Sequence, residues 1–66
     1  MTPHDKVIYI IQQLEISDSK VARAIQKSVS AASHKRLRLR DNKFTEEDYQ
    51  RIRDFYIEKL RKIEML

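Results

Sequence analysis

The fold class follows from residues 17–36, which read Ser17-Asp-Ser-Lys-Val-Ala-Arg-Ala-Ile-Gln-Lys-Ser-Val-Ser-Ala-Ala-Ser-His-Lys-Arg36. Ser17 and Ser28 are good N-caps, because a serine hydroxyl accepts a hydrogen bond from a free backbone N–H in the first turn of a helix. A cap at Ser28 requires the preceding helix to end near Gln26. The segment therefore predicts helices over 18–26 and 29–37, joined by a tight turn.

The apolar residues of this segment predict how its two helices pack. Val21 and Ile25 lie one helical turn apart and face inward. In the second helix the inward candidates are Ala32 and, one turn later, Arg36 or Leu37. A helix with so few large apolar residues is weakly anchored, so we expect its role to be binding through its outer face.

The N-terminal residues predict another helix. Thr2 caps it, Pro3 suits its first position, and Asp5 completes a Thr-x-x-Asp capping box. These signals predict a helix over 3–15, with His4 as a solvated residue of its first turn. The inward stripe of this helix is expected to consist of Val7, Ile10, Ile11 and Leu14.

The C-terminal residues predict the longest helix, over 45–64, which opens with a capping box formed by Thr45 and Asp48. Residues 37–43, which precede it, are expected to form an extended basic loop or a short strand. The stripe of the last helix is expected to consist of Tyr49, Ile52, Phe55, Tyr56, Leu60, Ile63 and Leu66. At about 30 Å the helix is too long for a small core to cover. Its far end exposes Leu60, Ile63 and Leu66, which predicts a homodimer contact.

These elements together predict an all-α, compact four-helix domain with a helix-turn-helix and a long C-terminal helix, in one domain over 1–66. A chain of 66 residues holds only one small core. It has no Cys and no Gly, which excludes disulfides, thiolate zinc sites and glycine-rich phosphate loops. Neither a membrane span nor a signal peptide is expected, and the thiol-free composition fits the cytoplasm.

Catalytic and ligand-binding chemistry is not expected. His4 and His34 lie in different predicted helices, and most of the carboxylates serve as caps or as partners in pairs four residues apart. A metal site needs further ligands within a turn of His34, and none is present. We therefore expect no enzyme activity, no cofactor, no metal and no small-molecule ligand.

The net charge of +4 is concentrated in the middle of the chain. Residues 20–43 carry eight basic side chains against Asp41 alone, giving +7, whereas residues 1–19 and 44–66 carry −2 and −1. A basic segment of this kind favours a polyanionic partner that docks on one defined face.

The two short helices resemble the helix-turn-helix of the phage Cro/repressor (lambda-repressor-like) family of DNA-binding domains. The typical motif has a Val-Ala pair in its first helix, an apolar residue three positions on, and a Ser that opens the recognition helix. Those positions are occupied here by Val21-Ala22, Ile25 and Ser28. The turn departs from the pattern at two positions, because Gln26 stands where the family usually has Gly and Lys27 stands where it usually has an apolar residue.

The resemblance implies a sequence-specific regulator of transcription, similar to a Cro repressor, whose third helix enters the major groove of double-stranded DNA. Carried onto matching positions, the residues that face base edges are Val29, Ser30, Ser33 and His34. Those expected to contact phosphates are Ser17, Lys20, Lys27, Lys35, Arg36, Arg38 and Arg40. Paired half-sites on DNA would call for the homodimer.

Two other functions stay open at this point. The first is a small protein-interaction module or antirepressor-type adapter, which would use its basic face on an acidic partner. The second is an RNA-binding protein.

Overall fold

The computed structural model describes residues 1–66 as a compact all-helical domain of 43 × 24 × 19 Å without strands. A short 3-10 turn, Leu39–Asp41, precedes the last helix. The α-helices are α1 Pro3–Leu14, α2 Asp18–Ile25, α3 Val29–Leu37 and α4 Glu46–Glu64. The all-α fold with four helices and a long C-terminal helix is therefore as predicted. Helix bounds differ from the predicted ones by at most one residue.

Each helix begins at the hydroxyl residue that the sequence indicates. The side chains of Thr2, Ser17, Ser28 and Thr45 accept hydrogen bonds of 3.0–3.3 Å from the backbone N–H three residues on. At the starts of α1 and α4 an aspartate completes the capping box. These bonds satisfy N–H groups that a helix start otherwise leaves without partners.

The first three helices end without glycine. Glu15, Gln26 and Arg38 each adopt the left-handed conformation, with φ of 52°, 61° and 57°. This conformation costs a non-glycine residue about 1 kcal/mol. At Gln26 it produces the tight turn that the sequence predicts between α2 and α3.

The core lies where α1 and α4 pack together and where α2 packs against both α3 and α4. Tyr49, Phe55 and Tyr56 are partly buried and pack against this core, as predicted. Its buried apolar residues are Val7, Ile16, Val21, Ala22, Ala24, Ile25, Ala32, Phe44 and Ile52.

Two local predictions are wrong, and one that left two candidates open is decided. Residues 37–43 contain the 3-10 turn rather than an extended loop or strand. Leu14 is 44% exposed, because α1 ends at this residue and Ile16, two residues on, enters the core in its place. Of the two candidates for the inner face of α3, Arg36 is half-buried whereas Leu37 is 53% exposed.

The prediction for His4 is also wrong, because this residue is 6% exposed. Its Nδ1 accepts a hydrogen bond of 3.1 Å from the backbone N–H of Phe44, and the two rings stack with centroids 5.5 Å apart. The start of α1 is thereby attached to the segment that precedes α4. Burial lowers the pKa of His4, and the positive charges of Arg38 and Lys43 lower it further, against a weaker opposing effect of Asp5.

Candidate nucleic-acid interface

Two ion pairs hold the inner face of α3 against the rest of the domain. Lys35 Nζ donates a hydrogen bond to Asp48 at the start of α4, and the Lys35 side chain is only 13% exposed. Arg36 makes a two-pronged contact with Asp18 at the start of α2, with Nε–Oδ1 and Nη2–Oδ2 distances of 2.8 and 3.0 Å. This bidentate geometry restricts the rotation of α3 as well as its position.

The pKa values of the two aspartates respond to these contacts. The Arg36 hydrogen bonds lower the pKa of Asp18. For Asp48, burial is the largest single influence and raises the pKa. The hydrogen bonds from Lys35 and Thr45, with the charge of Lys35, together outweigh it, so the pKa of Asp48 lies below its ordinary value. Both carboxylates are therefore ionised partners at neutral pH.

The opposite face of α3 is open to solvent. At about 100° per residue, Ser30, Ser33, His34 and Leu37 share a sector about 100° wide, with Val29 about 40° beyond its edge. Ser30 and His34 are exposed, and Val29 is 49% exposed. The structure thus brings the four predicted base-contacting residues onto one side of α3.

Two residues of this face differ in their surroundings. Ser33 is half-buried, and its hydroxyl contributes to lowering the pKa of Asp18, so it lies at the edge nearest α2. Leu37 belongs to the open face, although it is not among the candidate contacts predicted from the sequence. Its spacing, four residues after Ser33 and seven after Ser30, is the sequence signal that places it there.

Exposed cations lie at both ends of the open face. Lys27 occupies the turn before α3, and Arg38, Arg40 and Lys43 follow it. None of these four side chains forms an ion pair within the chain. Lys43 was not among the predicted phosphate contacts. The open face therefore has free positive charge before and after it.

The four other predicted phosphate contacts have different settings. Lys35 and Arg36 are engaged with the two aspartates, so their charges are already partnered. Lys20 lies about 160° around α2 from Asp18, whose carboxylate accepts the hydrogen bonds of Arg36 in α3. It lines a groove on the other side of α2. Ser17 is exposed, and its hydroxyl caps α2.

The groove that Lys20 lines is a depression of about 340 Å³ between the start of α2 and the second half of α4. We call it the α2–α4 groove. Its apolar lining consists of Leu14, Ile16, Phe55, Tyr56, Leu60 and Ile63. Its other lining residues are Lys20, Arg23 and Lys59. Two of the three predicted dimer residues thus line the groove. Leu66, the third, is fully exposed.

No group of three or more His, Asp or Glu side chains is arranged to hold a metal ion. None of the helices combines the length and the apolar character needed to cross a membrane.

Comparison of the chain with protein-family models, curated proteins and solved structures gives no match. The resemblance to the Cro/repressor family therefore rests on the residues of α2, the turn and α3 alone.

Proposed function

We propose that this domain binds double-stranded DNA as a sequence-specific regulator of transcription, with α3 in the major groove. The observation that carries the proposal is the open face of α3, which has no acidic side chain and has free cations before and after it. The major groove of B-DNA is about 12 Å wide and admits an α-helix. A regulator of this kind would act in the cytoplasm.

The open face offers side chains suited to reading base edges. The hydroxyls of Ser30 and Ser33 donate to or accept from several bases, and the methyl groups of Val29 suit a thymine methyl. His34 offers a ring nitrogen at mid-helix, and Leu37 extends the apolar contact by two turns. We assign sequence discrimination to this face.

The exposed cations suit the phosphates on either side of the groove. Lys27 would contact the backbone at the start of α3, and Arg38, Arg40 and Lys43 at its end. Lys35 and Arg36 then serve a different purpose, because their aspartate partners fix how α3 is set on the domain. Direct phosphate contacts by Lys35, Arg36, Lys20 and Ser17 stay predictions from the sequence.

The test is the salt dependence of duplex binding, measured by gel shift or filter binding on genomic DNA fragments. Four phosphate contacts give a slope of log K against log salt of about −3.6. The variant Arg38→Asn/Arg40→Asn should flatten it by about 1.8 units. Asparagine is used because both positions have positive φ, which asparagine tolerates.

The matched control is Lys59→Gln/Arg61→Gln, which removes two exposed cations from α4, away from α3. We expect this variant to keep the slope of the unaltered protein. An equal loss in both variants would mean that binding follows net charge alone. Absence of duplex binding at low salt, with binding of an acidic protein, would replace the proposal with the protein-interaction function.

A further inference from the structure

The α2–α4 groove is an apolar surface that the domain itself leaves uncovered. Leu14, Leu60 and Ile63 are 44%, 52% and 62% exposed, although they lie beside the partly buried Phe55 and Tyr56. Adjacent exposed apolar side chains of this kind make the groove a candidate interaction site. The α4 wall from Phe55 to Ile63 spans about 12 Å, which matches about two turns of a partner helix.

The charges of the groove are all of one sign. Lys20 and Arg23 lie on the α2 wall and Lys59 on the α4 wall, with no acidic residue in the lining. None of the three forms an ion pair. Lys59 Nζ lies 4.8 Å from the centroid of the Phe55 ring, so this cation stands over the apolar surface instead of pointing away from it.

A second copy of this chain complements the groove poorly. A two-fold contact would bring together two sets of Lys20, Arg23 and Lys59. The acids in the second half of α4, Asp54, Glu58 and Glu64, lie at least about 100° around the helix from Lys59. A homodimer formed through this groove would therefore bring like charges together.

We propose that the α2–α4 groove binds an amphipathic helix of a partner protein, one whose apolar stripe is flanked by Asp and Glu side chains. Apolar side chains spaced at i, i+4 and i+7 would enter between the two walls. The flanking acids would pair with Lys20, Arg23 and Lys59. This inference does not rest on DNA binding, because the groove and the open face of α3 share no residue.

The test begins with a displayed library of random helical peptides of about 16 residues, selected on the full chain. Counter-selection uses Leu60→Ser/Ile63→Ser, which removes apolar surface and keeps every cation. We expect the retained peptides to be enriched in Asp and Glu around an apolar stripe. No enrichment, or peptides no more acidic than the starting library, would overturn the proposal.

The dissociation constant of a selected peptide then separates apolar from charged contributions. Leu60→Ser/Ile63→Ser should weaken binding at least about tenfold. Arg23→Gln/Lys59→Gln should weaken it about fivefold and reduce its salt dependence. The control Arg38→Asn/Arg40→Asn, with the same loss of charge, should leave the constant unchanged. Equal weakening by both charge variants would overturn the assignment to the groove.

Two further measurements exclude other occupants. Sedimentation should show a monomer at micromolar concentration. A dimer that Leu60→Glu/Ile63→Glu converts to monomer would assign the groove to a second copy instead. Vesicles of phosphatidylcholine with phosphatidylglycerol should not bind through the groove, because its apolar residues line a depression between two helices and do not form a face that can insert into a bilayer. Vesicle binding that the change Leu60→Ser/Ile63→Ser abolishes would overturn the proposal.

Discussion

The inner face of α3 sets Ala32, Lys35 and Arg36 against the rest of the domain. The open face, which is the outer face of the helix, leaves Ser30 and His34 in solvent. The inner face contains only one fully buried residue, and that residue is an alanine. Directional contacts with two aspartates supplement its small apolar area. The open face makes a contribution of this kind only at Ser33, whose hydroxyl lies beside Asp18, so its other side chains are free to be chosen for binding.

The two faces should therefore respond to substitution in opposite ways. Changes on the inner face should lower the free energy of unfolding, and they should affect binding only through the position of α3. Changes on the outer face should alter binding while leaving stability nearly constant.

The largest effect is expected for Asp48→Ala on the inner side. Asp48 is 2% exposed, accepts the Lys35 hydrogen bond, and accepts a second one of 3.0 Å from the backbone N–H of Thr45. Its removal leaves Lys35 charged and largely buried without a partner, and it also removes one half of the capping box of α4. We expect the free energy of unfolding, measured in urea, to fall by about 3 kcal/mol.

Glu47→Ala is the matched control, since it removes a neighbouring acid of the same helical turn. The Glu47 side chain is 71% exposed and pairs with Arg51 on the surface. Its removal should cost less than about 1 kcal/mol. Equal costs for the two variants would show that the Lys35–Asp48 pair does not hold α3 in place.

The local elements of this fold could be predicted, and the contacts between distant residues could not. Each N-cap bond joins residues three apart, so the positions of Ser17 and Ser28 show it directly in the sequence. The bonds Lys35–Asp48, Arg36–Asp18 and Phe44–His4 join residues 13, 18 and 40 apart. Nothing in the local pattern identifies those partners.

The candidate site divides in the same way. Helical spacing places Ser30, Ser33 and His34 on one face, so their common orientation could be predicted. Charge alone does not distinguish a free cation such as Arg38 from a paired one such as Arg36. The function proposed for these residues depends on that difference, which only the tertiary contacts provide.

On the open face, Ser33→Ala/His34→Ala should weaken recognition of the DNA sequence while leaving the stability of the domain nearly unchanged. Alanine is the better helix former, and this gain offsets the loss of the Ser33 hydroxyl beside Asp18, so the melting temperature should change little. Affinity for the specific site should fall by about 1–3 kcal/mol for each base-edge interaction that the variant removes, with a much smaller change for random DNA. Binding constants for a selected site and for random duplex, measured at one salt concentration, provide the comparison.

Gln13→Ala/Ser19→Ala is the control for this pair, because both residues are exposed on other helices. It should leave both binding constants unchanged. A parallel loss of specific and random binding in Ser33→Ala/His34→Ala would mean that α3 does not read the sequence.

The smallest effect is expected for the buried His4, whose hydrogen bond with Phe44 can be weakened by lowering the pH, without a mutation. Its Nδ1 accepts the Phe44 N–H only when the ring is neutral, and the pKa of His4 is lowered from 6.5, mainly by burial. Below pH 6.5 the unfolded chain therefore binds more protons at this residue than the folded one does. Stability contributed by the neutral ring is present above that pH and is lost as the pH falls below it. We expect this loss of stability to be about 1 kcal/mol, similar to the value of one hydrogen bond. In urea unfolding between pH 7.5 and 5.5, His4→Asn should reduce the fall in the free energy of unfolding, because Asn keeps an acceptor and does not titrate.

His34→Asn is the control, because it removes the exposed histidine. This variant should show the same fall in the free energy of unfolding as the unaltered protein. If the free energy of unfolding of His4→Asn falls with pH as much as that of the unaltered protein, another group causes the pH dependence. The hydrogen bond between His4 and Phe44 would then make no contribution to it.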